Sequence, residues 1–291
     1  MSFSDAIYWI KERESIRIRK EQNQLMPWTR DPILRSYRFC NVRREDDTVT
    51  RWIADNVRDR FAGHENLWLA LCLCRIVNWP PTLKYLMLNR DDKVAWPCFD
   101  GFDPKWLEAA LYQRTARGEK AFTGAYIIPT GEKGESKAHF VAHTMIGALW
   151  SRRSRARFRL AFSDPVPRLA IVHQMLQEYQ GWGPFLSYQA VVDMRFTELL
   201  SEAADVQTWA AAGPGTIRGL NRVAGRSIDF PLGQNQACNE IVALWSRLVN
   251  DSEVEMDLSD VPNVMCEVDK YLRVKNGEGK PRARYVPGRG A

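Results

Sequence analysis

A chain of 291 residues is long enough to enclose a full core, as one large domain or two small ones. Its 45% hydrophobic and 26% charged residues are the balance of a soluble globular protein, and no stretch approaches the length of a membrane-spanning helix. A net charge of +6 and a pI near 9.0 suit a polyanionic partner, and six cysteines without a C-x-x-C pair point away from a zinc ribbon or a disulfide framework.

Taken in order, the chain reads as mainly α, a single two-lobed helical domain over residues 1–291. The segment 1–25 predicts an N-terminal helix that starts near Ser4, carries charges throughout and has no secretory leader pattern. Pro27 and Pro32 hold an extended connector that leads into Ile33 to Arg44, where Tyr37 and Phe39 interleave with Arg35, Arg38, Arg43 and Arg44. Such interleaving fits a phosphate-and-base surface, and equally a helix with one apolar and one charged face. Helices are predicted over Glu45 to Phe61, Glu65 to Trp79, Leu83 to Asn89 and Lys105 to Arg117. The glycine-containing stretch Ala121 to Lys137 predicts a loop or a small β-hairpin insertion, the one place for strand.

A helix over Ala138 to Trp150 leads into Arg152, Arg153, Arg155, Arg157 and Arg159, five arginines in eight positions and a candidate phosphate-binding face. The apolar run Leu169 to Tyr179 then meets Gly181-Trp182-Gly183-Pro184, and a second amphipathic run starts at Phe185. Two glycines around one residue, with proline at the first helical position, predict a tight helix-to-helix turn whose backbone N–H groups can bind a phosphate oxygen. Asp205 follows Gly183 by 22 residues and stands before Val-Gln-Thr-Trp as a helix start. This arrangement resembles the helix-hairpin-helix DNA glycosylases, in which a catalytic aspartate follows the hairpin, and it also fits an ordinary αα-turn with a capping acid. Beyond it, Gly213 and Gly215 offer a second anion-binding helix start, followed by Arg218, Asn221, Arg222 and Arg226. Helices over Asn235 to Asn250 and Ser259 to Val274 precede a basic arm, residues 275–291, with Lys280, Arg282 and Arg284.

Several chemistries are disfavoured. The sequence lacks the phosphate-binding G-x-x-x-x-G-K-[ST] and has no G-x-G-x-x-G after a strand. His139 and His143 have the i, i+4 spacing of paired ligands, yet Phe140 stands where a zincin places its glutamate, so no metal site is assigned. Acids are better candidates: Asp205, Asp193 and the pair Glu267 and Asp269, of which Glu267 shares a helix face with Tyr271 while Asp269 points elsewhere. Each also fits a cap or a salt bridge.

The segments WTRDPILRSYRFCNVRREDDTVTRWI, ENLWLALCLCRIVNWPPTL, GWGPFLSYQAVVDMRF, DVQTWAAAGPGTIRGLNR and VMCEVDKYLRV resemble the DNA base-hypermodification family of bacteriophages and bacteria. That family includes the α-glutamyl/putrescinyl-thymine pyrophosphorylases, or amino acid:DNA transferases, and the helical domain of 5-hydroxymethyluracil DNA kinases. The resemblance runs from Trp28 to Tyr285 and implies thymidine hypermodification on double-stranded DNA. It implies first a transferase that displaces (pyro)phosphate from activated 5-hydroxymethyl-deoxyuridine with an amine, an amino acid such as glycine or a polyamine such as putrescine. A kinase acting on the same base would be its functional link. The alternatives are the 5-hydroxymethyluracil DNA kinase itself, its DNA-binding accessory domain, or a glycosylase acting on a modified pyrimidine.

Under that resemblance the base is flipped out of the duplex. Asp205, Asp193 or Glu267 then serves as the catalytic carboxylate. Arg38, Arg43, Arg218 and Arg222 hold the departing (pyro)phosphate, while Phe39, Trp182 or Trp209 stacks on the base or fills its place. Gly181, Gly183, Arg152, Arg153, Arg155, Lys280, Arg282 and Arg284 contact the DNA backbone. The sequence assigns no cofactor beyond the amino acid or polyamine co-substrate, leaves a divalent metal possible at the pyrophosphate, and implies no membrane partner. The expected location is a reducing cytoplasm, the bacterial host's for a phage-encoded chain.

Overall fold

The structure is a computed structural model that describes residues 3–87, 101–124, 128, 130–131, 134–281 and 284–285. It is mainly helical, and no β-strand occurs among the described residues. In chain order the helices are α1 (Phe3–Glu21), α2 (Pro32–Ser36), α3 (Thr48–Ile53), α4 (Leu67–Val77), α5 (Pro80–Met87), α6 (Pro104–Ala116) and α7 (Lys137–His139). They continue with α8 (Gly147–Trp150), α9 (Arg152–Phe162), α10 (Leu169–Gln177), α11 (Pro184–Arg195), α12 (Pro214–Val223), α13 (Gln234–Ser252) and α14 (Val261–Lys275). Two π-helical segments interrupt the series: Ala54–Arg58 extends α3, and Phe140–Ile146 joins α7 to α8.

Local chemistry sets many boundaries. Proline opens α2, α6, α11 and α12, where its missing N–H costs nothing. Asp31 and Asp103 cap α2 and α6 through side-chain oxygens, and α4 stops at Asn78 in the left-handed region at φ 44°. The arginine-rich segment is a helix of its own, α9, begun by Ser151 accepting the amide of Ser154. In the stretch Ala121 to Lys137 the described residues before α7 have no regular structure, while Tyr126, Ile127 and Pro129 lie outside the described residues. No helix begins at Asp205, contrary to the sequence expectation, because residues 204–208 form turns.

The chain divides into two compact units, residues 1–50 with 207–291, and residues 51–206. In the first unit α14 is central and packs against α1, α2, α12 and α13. Two glycines let α12 approach it closely: a Cβ on Gly219 would stand 2.1 Å from the Met265 carbonyl oxygen, and one on Gly215 2.4 Å from Cys266 Sγ. Gly215, expected at an anion-binding helix start, is therefore held to glycine by packing.

In the second unit every residue of α4 is buried, as an apolar run broken only by Arg75 favours, and α4 packs against α5, α11 and both π segments. Trp68 stacks on Phe158 of α9 with ring centroids 4.3 Å apart. Gly181 to Pro184 join α10 to α11 as the spacing predicts. Gly181 adopts φ 87°, and a Cβ there would press on Met145 and Phe140 at 2.9–3.0 Å, so the turn is fitted against the π segment.

Candidate functional site

The acids singled out in the sequence are occupied. Asp193 has no exposed surface and forms a two-pronged ion pair with Arg75 of α4, which also donates to Asn78 Oδ1 at 3.2 Å. Such a pair ties α11 to α4 inside the second unit and removes Asp193 from reach of a substrate. Asp205 is 7% exposed; its Oδ1 accepts the Leu169 amide at 2.7 Å and its Oδ2 the Ala170 amide at 3.0 Å. It thus caps α10, a helix 36 residues earlier, rather than a helix of its own.

In the first unit, Glu267 accepts the Cys40 amide at 3.1 Å and the Lys270 ammonium at 3.0 Å. Lys270 lies 4.6 Å from the centroid of the Phe39 ring, which also meets Trp9 and Tyr271. On the opposite face of α14, Asp269 takes Arg218 Nε at 3.0 Å and Arg222 Nε at 2.8 Å from α12, and Arg222 also pairs with Glu278. The divergence expected of Glu267 and Asp269 is therefore seen, with each carboxylate serving a different neighbour. Arg222 is spent within the fold, and its hydrogen bond to Glu278 raises its already high pKa while holding the Glu278 carboxyl down at about 2.

Sequence reasoning missed the partners of this cluster. Asp31 caps α2 with Oδ1, while its Oδ2 takes the hydroxyls of Tyr8 at 3.1 Å and Tyr271 at 2.7 Å. Burial, and then this carboxylate, push the phenol of Tyr8 up to about 12 and that of Tyr271 higher still. Arg13 Nε donates to the Cys40 carbonyl at 2.9 Å, and burial lowers its pKa. Burial also lifts the Cys40 thiol well above its usual range, with Glu267 adding to the effect. The Asp-Pro pair at the start of α2 was a legible cap signal. Nothing in the sequence pairs Asp31 with a tyrosine 240 residues away.

Cations remain at the surface in each unit. Arg38, Lys280 and Arg284 are exposed in the first unit. The Tyr285 amide donates to the Ser36 carbonyl at 3.0 Å, and Tyr37 and Arg284 form an isolated antiparallel bridge, so residues 284–285 lie beside the segment that carries Arg35 and Arg38. Arg282 lies outside the described residues. Arg43 is half-buried and pairs with Asp46 at 2.7 Å. In the second unit Arg152 and Arg153 are exposed at the start of α9, and Gly183 is open, with nothing within 4 Å of a Cβ built on it. Arg155 instead stacks on Trp150 at 4.3 Å, and Arg157 and Arg159 pair with Glu178 and Glu65.

Of the expected base-stacking rings, Trp182 is 2% exposed and donates Nε1 to the Met145 carbonyl at 3.3 Å, so it has no face for a base. Phe39 is half-buried and meets Lys270, Trp9 and Tyr271. Trp209, half-buried in the first unit, retains exposed surface. This arrangement leaves exposed cations in both units, and each of the three acids is engaged by partners within its own unit. No helix among the described residues is long and apolar enough to cross a membrane.

Comparison with known proteins gives these features a context. No solved structure matches the chain. A 5-hmdU DNA kinase of Bacillus phage SP10 is 25% identical over 292 aligned residues, covering 90% of this chain and 43% of the phage protein. The chain thus spans less than half the length of that relative. Residues 1–281 match the family described as 5-hmdU DNA kinase, helical domain, and the chain belongs to that family.

Proposed function

We propose that this chain is the DNA-handling part of a thymidine-hypermodification system. In this reading it binds duplex DNA carrying 5-hydroxymethyl-deoxyuridine and presents the hydroxymethyl group for phosphoryl transfer. The family match over residues 1–281 carries the proposal. The ATP-binding chemistry belongs to a separate kinase domain, because the chain contains no G-x-x-x-x-G-K-[ST] motif to cradle a nucleoside triphosphate. Exposed Arg38, Lys280 and Arg284 in one unit, and Arg152 and Arg153 in the other, supply sequence-independent contacts to DNA phosphates.

A second reading, transfer of an amine onto an already phosphorylated hydroxymethyl group, is favoured by the same missing motif. Of the three candidate acids, Glu267 suits that chemistry best. Asp193 is locked to Arg75 and Asp205 to two backbone amides, whereas Glu267 accepts one backbone amide, from Cys40, and the ammonium of Lys270.

One set of incubations separates the readings. The chain is mixed with duplex containing 5-hydroxymethyl-deoxyuridine, with or without ATP, and with duplex phosphorylated at that group plus a mixture of amines. Nucleosides are then analysed by mass spectrometry. DNA binding without a new nucleoside is the expected result. A phosphorylated nucleoside would locate kinase activity within the chain, an amine adduct would establish the transferase, and an abasic site would point to a glycosylase.

A further inference from the structure

The second unit holds a group of side chains distinct from the cations assigned above to DNA phosphates. Glu108 on α6 reaches across to His139, the last residue of α7, and to His143 in the π segment. Its Oε1 lies 3.1 Å from His139 Nδ1 and its Oε2 2.9 Å from His143 Nε2. The two imidazoles stack with centroids 4.3 Å apart and planes 17° from parallel. Glu108 and His143 are half-buried and the His139 ring is more exposed, with the three ligand atoms within 4.8 Å of one another. On the far side of His139, Nε2 is 3.5 Å from Glu135 Oε1. Glu135 fits there because residue 131 is glycine: a Cβ would sit 1.2 Å from its Oε2.

Three features distinguish this group from a surface ion pair. The first is the backbone. Positions i and i+4 of an α-helix are offset by about 40°, and the wider π turn after His139 brings the two rings parallel over one carboxylate. Such turns concentrate at functional sites. The second is the donor set. Two imidazole nitrogens and a carboxylate are ligands of the zinc class, and the nitrogen–oxygen separations approach the roughly 3.3 Å edge of a tetrahedron with bonds of about 2.0–2.1 Å.

The third feature is Glu135. A ligating histidine commonly donates its other N–H to a carboxylate, which fixes the tautomer. If a neutral His139 gives Nε2–H to Glu135, its Nδ1 lone pair is turned toward Glu108 Oε1, and a cation held between them satisfies both acceptors. Phe140, which excludes the zincin motif, has no bearing on a carboxylate supplied by another helix.

We propose that Glu108, His139 and His143 bind a zinc-class divalent cation, with Glu135 orienting His139 and the remaining coordination open to water or an anionic oxygen. Three protein ligands, rather than four, is the number found in sites that keep a position open.

The test is titration of the chelator-treated full chain with Zn²⁺ by calorimetry, and with Co²⁺ by visible absorption. One equivalent should bind, with a cobalt d–d band. His139→Ala, His143→Ala and Glu108→Gln should each weaken binding by at least about 100-fold, and Glu135→Gln by the roughly 10-fold or more typical of an outer-shell partner. Circular dichroism and melting identify any variant that has lost its fold, and His143→Gln preserves side-chain bulk as a second variant at that position. Zn²⁺ should raise the melting temperature of the wild-type chain but not of Glu108→Gln. Absence of binding to the wild-type chain would show a histidine–carboxylate network only. Undiminished binding in folded His139→Ala and His143→Gln would place the ion elsewhere. Either result overturns the proposal.

Discussion

The carboxylate of Asp205 accepts the backbone amide of Leu169 at 2.7 Å, fixing the first turn of α10 from a turn far along the chain. Both oxygens are engaged, the second by the Ala170 amide. Asparagine offers only one acceptor and would turn an N–H₂ toward a donor. Asp205→Asn should therefore lower stability by about 1–3 kcal/mol, the cost of one unsatisfied buried group. DNA affinity per folded molecule should stay unchanged. Denaturant unfolding and a binding isotherm on the one variant check both. A stable variant that has lost function would instead return Asp205 to a chemical role.

Arg75 and Asp193 make a wholly internal pair between α4 and α11. Asp193→Ala leaves the buried Arg75 guanidinium without its counter-charge, and stability should fall by about 3–5 kcal/mol. Arg75→Met combined with Asp193→Leu should recover most of that loss, because both charges go together. Chemical denaturation of the single and double variants gives the comparison. Equal losses in both would mean that shape, not charge, sets the requirement.

Asp260 in the first unit accepts the amides of Arg44 and Asp257, yet burial raises its carboxyl from 3.8 to about 7. The folded chain then holds a proton that the unfolded chain has released. The stabilisation is fully present below about pH 4 and is lost as pH rises through about 7. Asp47, raised by burial to about 6, acts in the same direction. Asp260→Asn removes this group's titration. Wild type should therefore gain in melting temperature relative to the variant when the buffer is moved from about pH 8 to about pH 5. Parallel melting curves across that range would contradict it.

The DNA-facing cations give a salt prediction. Log affinity for duplex DNA should fall linearly with log salt, with a slope of about −0.9 per phosphate contacted. Arg152→Gln with Arg153→Gln should make that slope shallower by about 1 to 2. Arg157→Gln, which removes an arginine already paired with Glu178, should change it less. Filter or fluorescence binding over a salt series decides this, and identical slopes in the two variants would reject the assignment.

The helical class, the α10–α11 turn and the separate directions of Glu267 and Asp269 were legible in the sequence because each depends on local spacing. Proline at a first helical position, glycine in a turn and residue separation along one helix are read within a few positions. Other features depend on contacts between distant segments. Asp205 reads as the start of its own helix because the amides it satisfies lie 35 and 36 residues upstream. Arg222 reads as a holder of (pyro)phosphate because Asp269 and Glu278 reach it only after α12 and α14 pack. Glu108 was invisible beside the histidines because it comes from a separate helix, more than 30 residues away.

The central claim, recognition of DNA bearing the modified thymidine, is tested most directly by equilibrium binding to two duplexes that differ only in thymine versus 5-hydroxymethyluracil. One added hydroxyl that gains a hydrogen bond is worth about 0.5–1.5 kcal/mol. The hydroxymethyl duplex should therefore bind about 2- to 10-fold more tightly at the same salt concentration. Equal affinity for the two duplexes, or no affinity for either, would contradict the account.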